Sequence, residues 1–348
     1  MRTSAFLLLL TFAATTIICA ESTPAQALLI LSKRDQTLAI VDPKTLNVVA
    51  RIPVGKDPHE VIASADGKRA YVSNYGFGAY NTLAVIDLIA QKALPAIDLG
   101  PLRGPHGLIF AGGKAWFTAE GAKAIGRYDP SENKVDWVLG TGQDRTHMIF
   151  VSDDLKRIII TNVSSGTVSV IEKSARTAPD FGPPPGGPGE APRGPRGPVG
   201  PPGGDWEQTL VSVGRSSEGF DVSPDGREIW VATAQLGTVA IIDIASKRVQ
   251  ETIQANVAGA NRLKFTPNGK LVFISGSGLT ILDSATHKEI KRLDIGRGAG
   301  IQMQPDGSRA YVSSSGDNYV AVVDLTTLEI TGRIHAGQEP DGLAWAAR

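Results

Sequence analysis

The run Asp66-Gly-Lys-Arg-Ala-Tyr-Val-Ser-Asn74, followed by Leu83-Ala-Val-Ile-Asp87, decides the fold. An Asp-Gly pair suits a tight hairpin turn, because glycine takes positive φ without strain and aspartate tolerates it. The short β-branched and aromatic runs beside it read as strands. Working outward, the acid-terminated run recurs as Ala39-Ile-Val-Asp42, Ala84-Val-Ile-Asp87, Gly126-Arg-Tyr-Asp129, Ser169-Val-Ile-Glu172, Ala240-Ile-Ile-Asp243, Thr280-Ile-Leu-Asp283 and Ala321-Val-Val-Asp324. These stand 40 to 45 residues apart, except for one interval of 71 between Glu172 and Asp243. Each unit carries four short segments; between Asp42 and Asp87 they are Val48–Val54, His59–Ser64, Arg69–Ser73 and Leu83–Asp87. The turn pair returns at Asp225-Gly226, Asn268-Gly269 and Asp306-Gly307. Four antiparallel strands in a repeated unit predict an all-β, seven-bladed β-propeller rather than a sandwich, which has no reason to repeat its sequence. Leu28–Val54 supplies three strands of a first blade, and Gly342-Leu-Ala-Trp-Ala346 matches the fourth. Pairing the C-terminal strand into the N-terminal blade would close the ring and cover its edges.

Composition bounds the rest. The 348 residues carry 35 basic and 35 acidic side chains, so no global electrostatic case for nucleic acid exists. Residues 1–27 read as a signal peptide: Arg2, an apolar core from Ala5 to Ile18, and the small-x-small site Ala25-Gln26-Ala27. The apolar core is shorter than the roughly 20 residues of a bilayer span, so no transmembrane segment is expected after cleavage and the protein is expected to be periplasmic or secreted. The single cysteine, Cys19, would leave with the leader, and with it any disulfide, thiolate site or cysteine nucleophile. Residues 28–348 then form the propeller. Residues 177–208 are an insertion in the fourth blade, and 181–204 alone hold 9 Gly and 9 Pro. Gly194-Pro-Arg, Gly197-Pro-Val and Gly200-Pro-Pro keep a collagen-like register too briefly for a triple helix. A solvated polyproline-II loop is the simpler reading, and a proline-recognising partner at 181–204 the sharper one.

Tyr71-Val-Ser-Asn74 and Tyr311-Val-Ser-Ser314, with the Val-Ile-Asp runs and the Ser-Pro-Asp-Gly turns, resemble the YVTN β-propeller repeat of extracytoplasmic and surface-layer proteins. The resemblance spans residues 28–348 apart from the insertion. It implies the fold, but that family hosts several activities.

Propellers place ligands where the innermost strands begin, at the mouth of the central channel. Counting back from each turn gives His59, His106, His147, Glu218, Asn261 and Ala299, with Asp341 in the final strand. Three of the five histidines thus fall on equivalent positions of adjacent blades. Converging imidazoles beside a carboxylate suit a divalent metal, with Mg, Zn and Ca not distinguished, while small polar residues also simply line a watery channel. Lys56, Arg103, Arg145, Arg215 and Arg297 recur in the entering loops and could focus an anionic ligand. Glu218, Asn261 and Asp341 complete the candidate ligand-binding set. The aromatic loop Asn74–Asn81 could cover a bound molecule. The expected occupant is a small molecule, or a protein or peptide at the channel face; no organic cofactor is implied.

One blade carries a second resemblance. Pro105-His-Gly-Leu108, Trp116-Phe-Thr-Ala-Glu120 and Ile125-Gly-Arg-Tyr-Asp-Pro130 are similar to a blade of the streptogramin B lyases, propellers that open a cyclic depsipeptide by elimination around magnesium. The resemblance implies catalytic or ligating roles for His106 and Glu120. It departs in Ala119, which separates Thr118 from Glu120, and in Gly104-Pro105, where that family places a carboxylate. The sequence therefore leaves two function classes: a binding or scaffolding module with a ligand or metal site at the mouth, and a metal-dependent lyase or lactonase.

Overall fold

The computed structural model describes residues 21–174 and 206–348, which form seven sheets of four antiparallel strands. Innermost strands of successive blades touch all round a central axis. The first blade is composite. From the axis outward it runs Pro340–Ala347, Gln26–Ser32, Thr37–Val41 and Val48–Pro53. Gln26 pairs with Ala347, Ala27 with Ala346 and Leu28 with Trp345, so the C-terminal strand closes the ring. Gln26 and Ala27, placed before the mature start in the leader reading, belong to this seam.

Burial follows radial position. The second and third strands of each blade are apolar on both faces, as in Arg69–Asn74 and Thr82–Asp87, because a blade on either side covers them. Outer strands such as Arg248–Ile253 are exposed and charged. Between blades, the position of Tyr71 is held by Trp116, Trp230, Phe273 and Tyr311, all buried. Burying such a ring stabilises by roughly 1.5–3 kcal/mol each. The predicted fourth-blade insertion overlaps this frame at one end: Trp206–Gln208 already belong to the outer strand Trp206–Ser212, which pairs with Thr167–Lys173. Residues 175–205, and with them the 181–204 stretch, lie outside the described residues.

A repeated irregularity sets the geometry of the mouth. The innermost strands of blades 1, 2, 3, 4, 5 and 7 shift register just after their first residue, between Pro340 and Leu343, Pro58 and Val61, Pro105 and Leu108, Thr146 and Ile149, Ser217 and Phe220, and Gly298 and Ile301. Two successive residues therefore stay at the axis instead of alternating away from it. At the second of them, Gly107 and Gly342 admit the next blade's backbone: a Cβ there would strike the carbonyls of His147 and His59. A buried hydroxyl then fastens several of these junctions. Thr118 Oγ1 accepts from Gly107 N (2.8 Å) and donates to His147 O (2.6 Å). Ser275 Oγ does the same between Arg262 N (3.1 Å) and Ala299 O (2.5 Å). These are the third residues of the Tyr-Val-Ser-Asn-type runs, which gives that motif its physical reason: its hydroxyl links one innermost strand to the next.

Candidate functional site

The bulges bring the predicted ring positions together. His59, His106 and His147 form a stack at the mouth, with ring centroids 4.9 Å apart for the first pair and 3.8 Å for the second. All three are buried. Both outer histidines have polar neighbours besides His106. His59 Nδ1 lies 3.5 Å from both Lys33 Nζ and Asp341 Oδ2, and its Nε2 lies 3.2 Å from Asp57 Oδ1. Lys33 and Asp341 pair at 3.3 Å. His147 Nδ1 is hydrogen-bonded to Glu120 Oε1. The other oxygen of Glu120 accepts from the Tyr75 hydroxyl at 2.5 Å and faces Arg145 Nε at 3.7 Å.

His106 Nδ1 is buried and has no hydrogen-bond partner among the described residues, and His59 Nε2, although 3.2 Å from Asp57 Oδ1, makes no hydrogen bond either. Burial first, then the neighbouring His147 and His59 and the cations Arg262 and Lys33, hold the pKa of His106 well below the ordinary histidine value. The middle ring of the stack is thus a neutral base with a nitrogen to spare, and Tyr75 presses edge-on against it at 5.0 Å. Burial alone would raise the pKa of Glu120 and of Asp341; His147 and Tyr75 bring the first down, and Lys33, His59 and Arg262 the second. The Tyr75 hydroxyl is shifted up by burial and by Glu120, so it stays protonated and donates.

The remaining polar side chains extend the network round the axis. Arg145 Nη2 reaches Glu218 Oε1 (3.4 Å), Asn261 Nδ2 reaches Glu218 Oε2 (3.3 Å), and Arg262 Nη1 donates to Asn261 Oδ1 (3.1 Å). Arg262 Nη2 then crosses the channel to Glu60. Of the predicted basic rim, Arg145 joins the network, whereas Lys56, Arg103 and Arg215 are exposed. Arg215 donates to Ser164 O (3.2 Å), Arg297 to Ser315 Oγ (3.1 Å), and Lys56 lines a cleft of about 380 Å³ beside Tyr80. Among the described residues none of Lys56, Arg103, Arg215 and Arg297 has a carboxylate partner. The aromatic loop divides its work: Tyr75 enters the site, while Phe77 is 85% exposed.

Sequence reasoning missed Lys33, Asp57, Glu60 and Arg262. Glu60 and Arg262 directly follow ring positions, so extending the register by one residue finds them. His147 Nδ1 is spent on Glu120, and no group of three or more His, Cys, Asp or Glu among the described residues is arranged to hold a metal.

No protein-family profile matches the chain, and no curated protein sequence matches it significantly. Solved structures do match. Hydrazine synthase of Kuenenia stuttgartiensis is 16% identical, with 82% of this chain and 89% of that chain covered at a TM-score of 0.65. A functionally unknown protein from Desulfotomaculum acetoxidans is 11% identical over 92% of this chain and 99% of its own, at a TM-score of 0.70. A candidate 6-phosphogluconolactonase from Bacteroides uniformis is 14% identical over 93% and 100%, at a TM-score of 0.67. At these identities the shared property is the propeller fold, and that is the extent of the kinship.

Proposed function

We propose that this is an exported propeller that binds a small, oxygen-rich molecule at the channel mouth, with His106 as the central contact. The observation that carries the reading is the buried, unpartnered Nδ1 of His106, at the centre of a network in which His59 Nε2 and Arg262 Nε also lack hydrogen bonds. An unmet buried polar atom costs about 1–3 kcal/mol, and a ligand hydroxyl or amide recovers that cost. Arg145 and the uncommitted cations of the loops favour a ligand bearing negative charge. Export rests on the leader-like first residues, and no helix among the described residues is long and apolar enough to cross a membrane.

A second reading is a lactonase or lyase, favoured by the Glu120–His147–His106 array. His106, neutral and next to an imidazole anchored by a carboxylate, has the character of a general base toward water or an acidic C–H. Arg145, whose guanidinium has N–H groups beyond those facing Glu120 and Glu218, could meet a developing oxyanion, whereas the one Tyr75 O–H is committed to Glu120. The candidate lactonases among the structural neighbours are compatible with this reading at the level of fold.

The test is a thermal-shift and calorimetric screen of sugar acids, hydroxy acids, lactones and cyclic depsipeptides against the protein and its His106→Ala variant, with metal content measured on both. A ligand bound by the protein and weakened at least tenfold in the variant is the expected result. Ligands that bind both proteins equally would place the site elsewhere. Turnover of a lactone or depsipeptide that disappears in both His106→Ala and Glu120→Gln selects the enzyme; binding without turnover selects the binding module. Stoichiometric metal lost on His106→Ala would establish a divalent-ion form of the site.

A further inference from the structure

Below the histidine stack the channel changes character. The Glu60–Arg262 pair joins innermost strands that are not neighbours in the ring and so spans the axis. Beneath it lies a cavity of about 320 Å³, walled by the innermost strands and touched by none of the three histidines. That volume is at the low end of the roughly 300–1,000 Å³ typical of small-molecule sites. Much of the wall is apolar and aromatic, with Phe110, Phe150 and Trp345; its charged residues are Lys264 and Arg262 with their partners Asp221 and Glu60.

The charged part of the wall has donors to spare. Arg262 is 6% exposed, and its Nε is buried without a hydrogen-bond partner. Lys264, two residues on and therefore on the same side of the strand, has one hydrogen bond, to Asp221 Oδ1 at 3.2 Å. An ammonium offers three donors, so two remain. Asp221 is occupied on its other oxygen by the Phe265 N–H at 3.0 Å. The wall therefore holds one buried unmet donor, Arg262 Nε, and beside it the half-exposed Lys264 ammonium, whose remaining donors are held by solvent and can turn to a ligand.

We infer that this lower chamber is a second ligand site, separate from the mouth, for a small carboxylate with an aromatic or short aliphatic body. The carboxylate accepts from Lys264 and from Arg262 Nε, and the body lies against Phe110, Phe150 and Trp345. Charge-assisted hydrogen bonds of this kind are about twice as strong as neutral ones, which makes the acid bind in preference to its amide.

The probe is phenylacetate, followed through the Trp345 indole N–H in two-dimensional NMR spectra, with Trp345→Phe assigning the signal. Phenylacetate should shift this signal saturably. Phenylacetamide should bind at least tenfold more weakly, as should phenylacetate on Lys264→Met. His106→Ala should leave the affinity within twofold, because that residue belongs to the other chamber. Phe150→Trp, which fills the cavity without removing a charge, provides a second check and should abolish the shift while the protein remains folded. Absence of saturable binding, equal binding of acid and amide, or loss of binding in His106→Ala with retention in Phe150→Trp would each overturn the assignment. A failure of the mouth screen leaves this result unaffected, and the reverse also holds.

Discussion

At the scale of single residues, His106 makes acid a specific threat to this fold. Its folded-state pKa lies below the ordinary value of 6.5, so the unfolded chain takes up the proton first. The resulting stability is fully present above about pH 6.5 and drains as the pH falls toward the folded value. Glu120 and Asp341, whose carboxylates are held below their ordinary 4.5 and 3.8, add a second loss at lower pH. Urea unfolding between pH 7.5 and pH 3 should therefore show two descents, and His106→Asn should remove the first while sparing the second. Thr118 is a residue of another kind, since its hydroxyl serves two strands at once. Thr118→Val keeps the volume but leaves a buried N–H and a buried carbonyl unmet, a cost of about 1–3 kcal/mol each before relaxation. Its denaturation midpoint should fall, and the histidine signals should shift in NMR spectra although no histidine has been changed.

At the scale of strands, the innermost-strand registers were readable because a repeat places one residue per blade at the same height. His59, His106, His147, Glu218, Asn261 and Asp341 were found that way and lie in one connected network. Glu60 and Arg262 were not. At Glu60 strict alternation sends the residue after the ring position away from the axis, whereas the bulge keeps it there; Arg262 opens its strand, so no alternation reaches back to place it. Lys33 and Asp57 belong to loops, whose reach toward His59 no strand pattern encodes. The start of the first strand carries a related lesson. Thr23 Oγ1 donates to Leu88 O (2.5 Å), Gln91 Nε2 to Glu21 O (2.7 Å), and Arg348 N to Ala25 O (2.9 Å). A chain beginning at Glu21 keeps these bonds, and one beginning at Leu28 loses them together with two paired residues of the seam. The longer form should be the more stable by about 1–3 kcal/mol, at roughly 1 kcal/mol for each net hydrogen bond. Chemical denaturation of the two purified forms measures the difference.

At the scale of the whole molecule, the ring converts sequence distance into proximity. Glu60 and Arg262 meet across the axis, and the chain ends meet in one blade. Fold and closure were legible because they rest on repetition and on one missing strand. The two-chamber channel was not, because a cross-axis pair is a property of the assembled circle and no single blade contains it. The seam also has a mechanical character of its own. Gln26 sits opposite Ala347, at the very tips of two antiparallel strands, so a load applied to the two ends opens the pairs one after another instead of straining them together. Held in optical tweezers by its ends, the protein should peel at low force from this seam, while a handle attached at Glu172 in place of the C-terminus should demand a distinctly larger pull. Resistance to heat and resistance to tension are thus separate properties of the circle, set by different bonds.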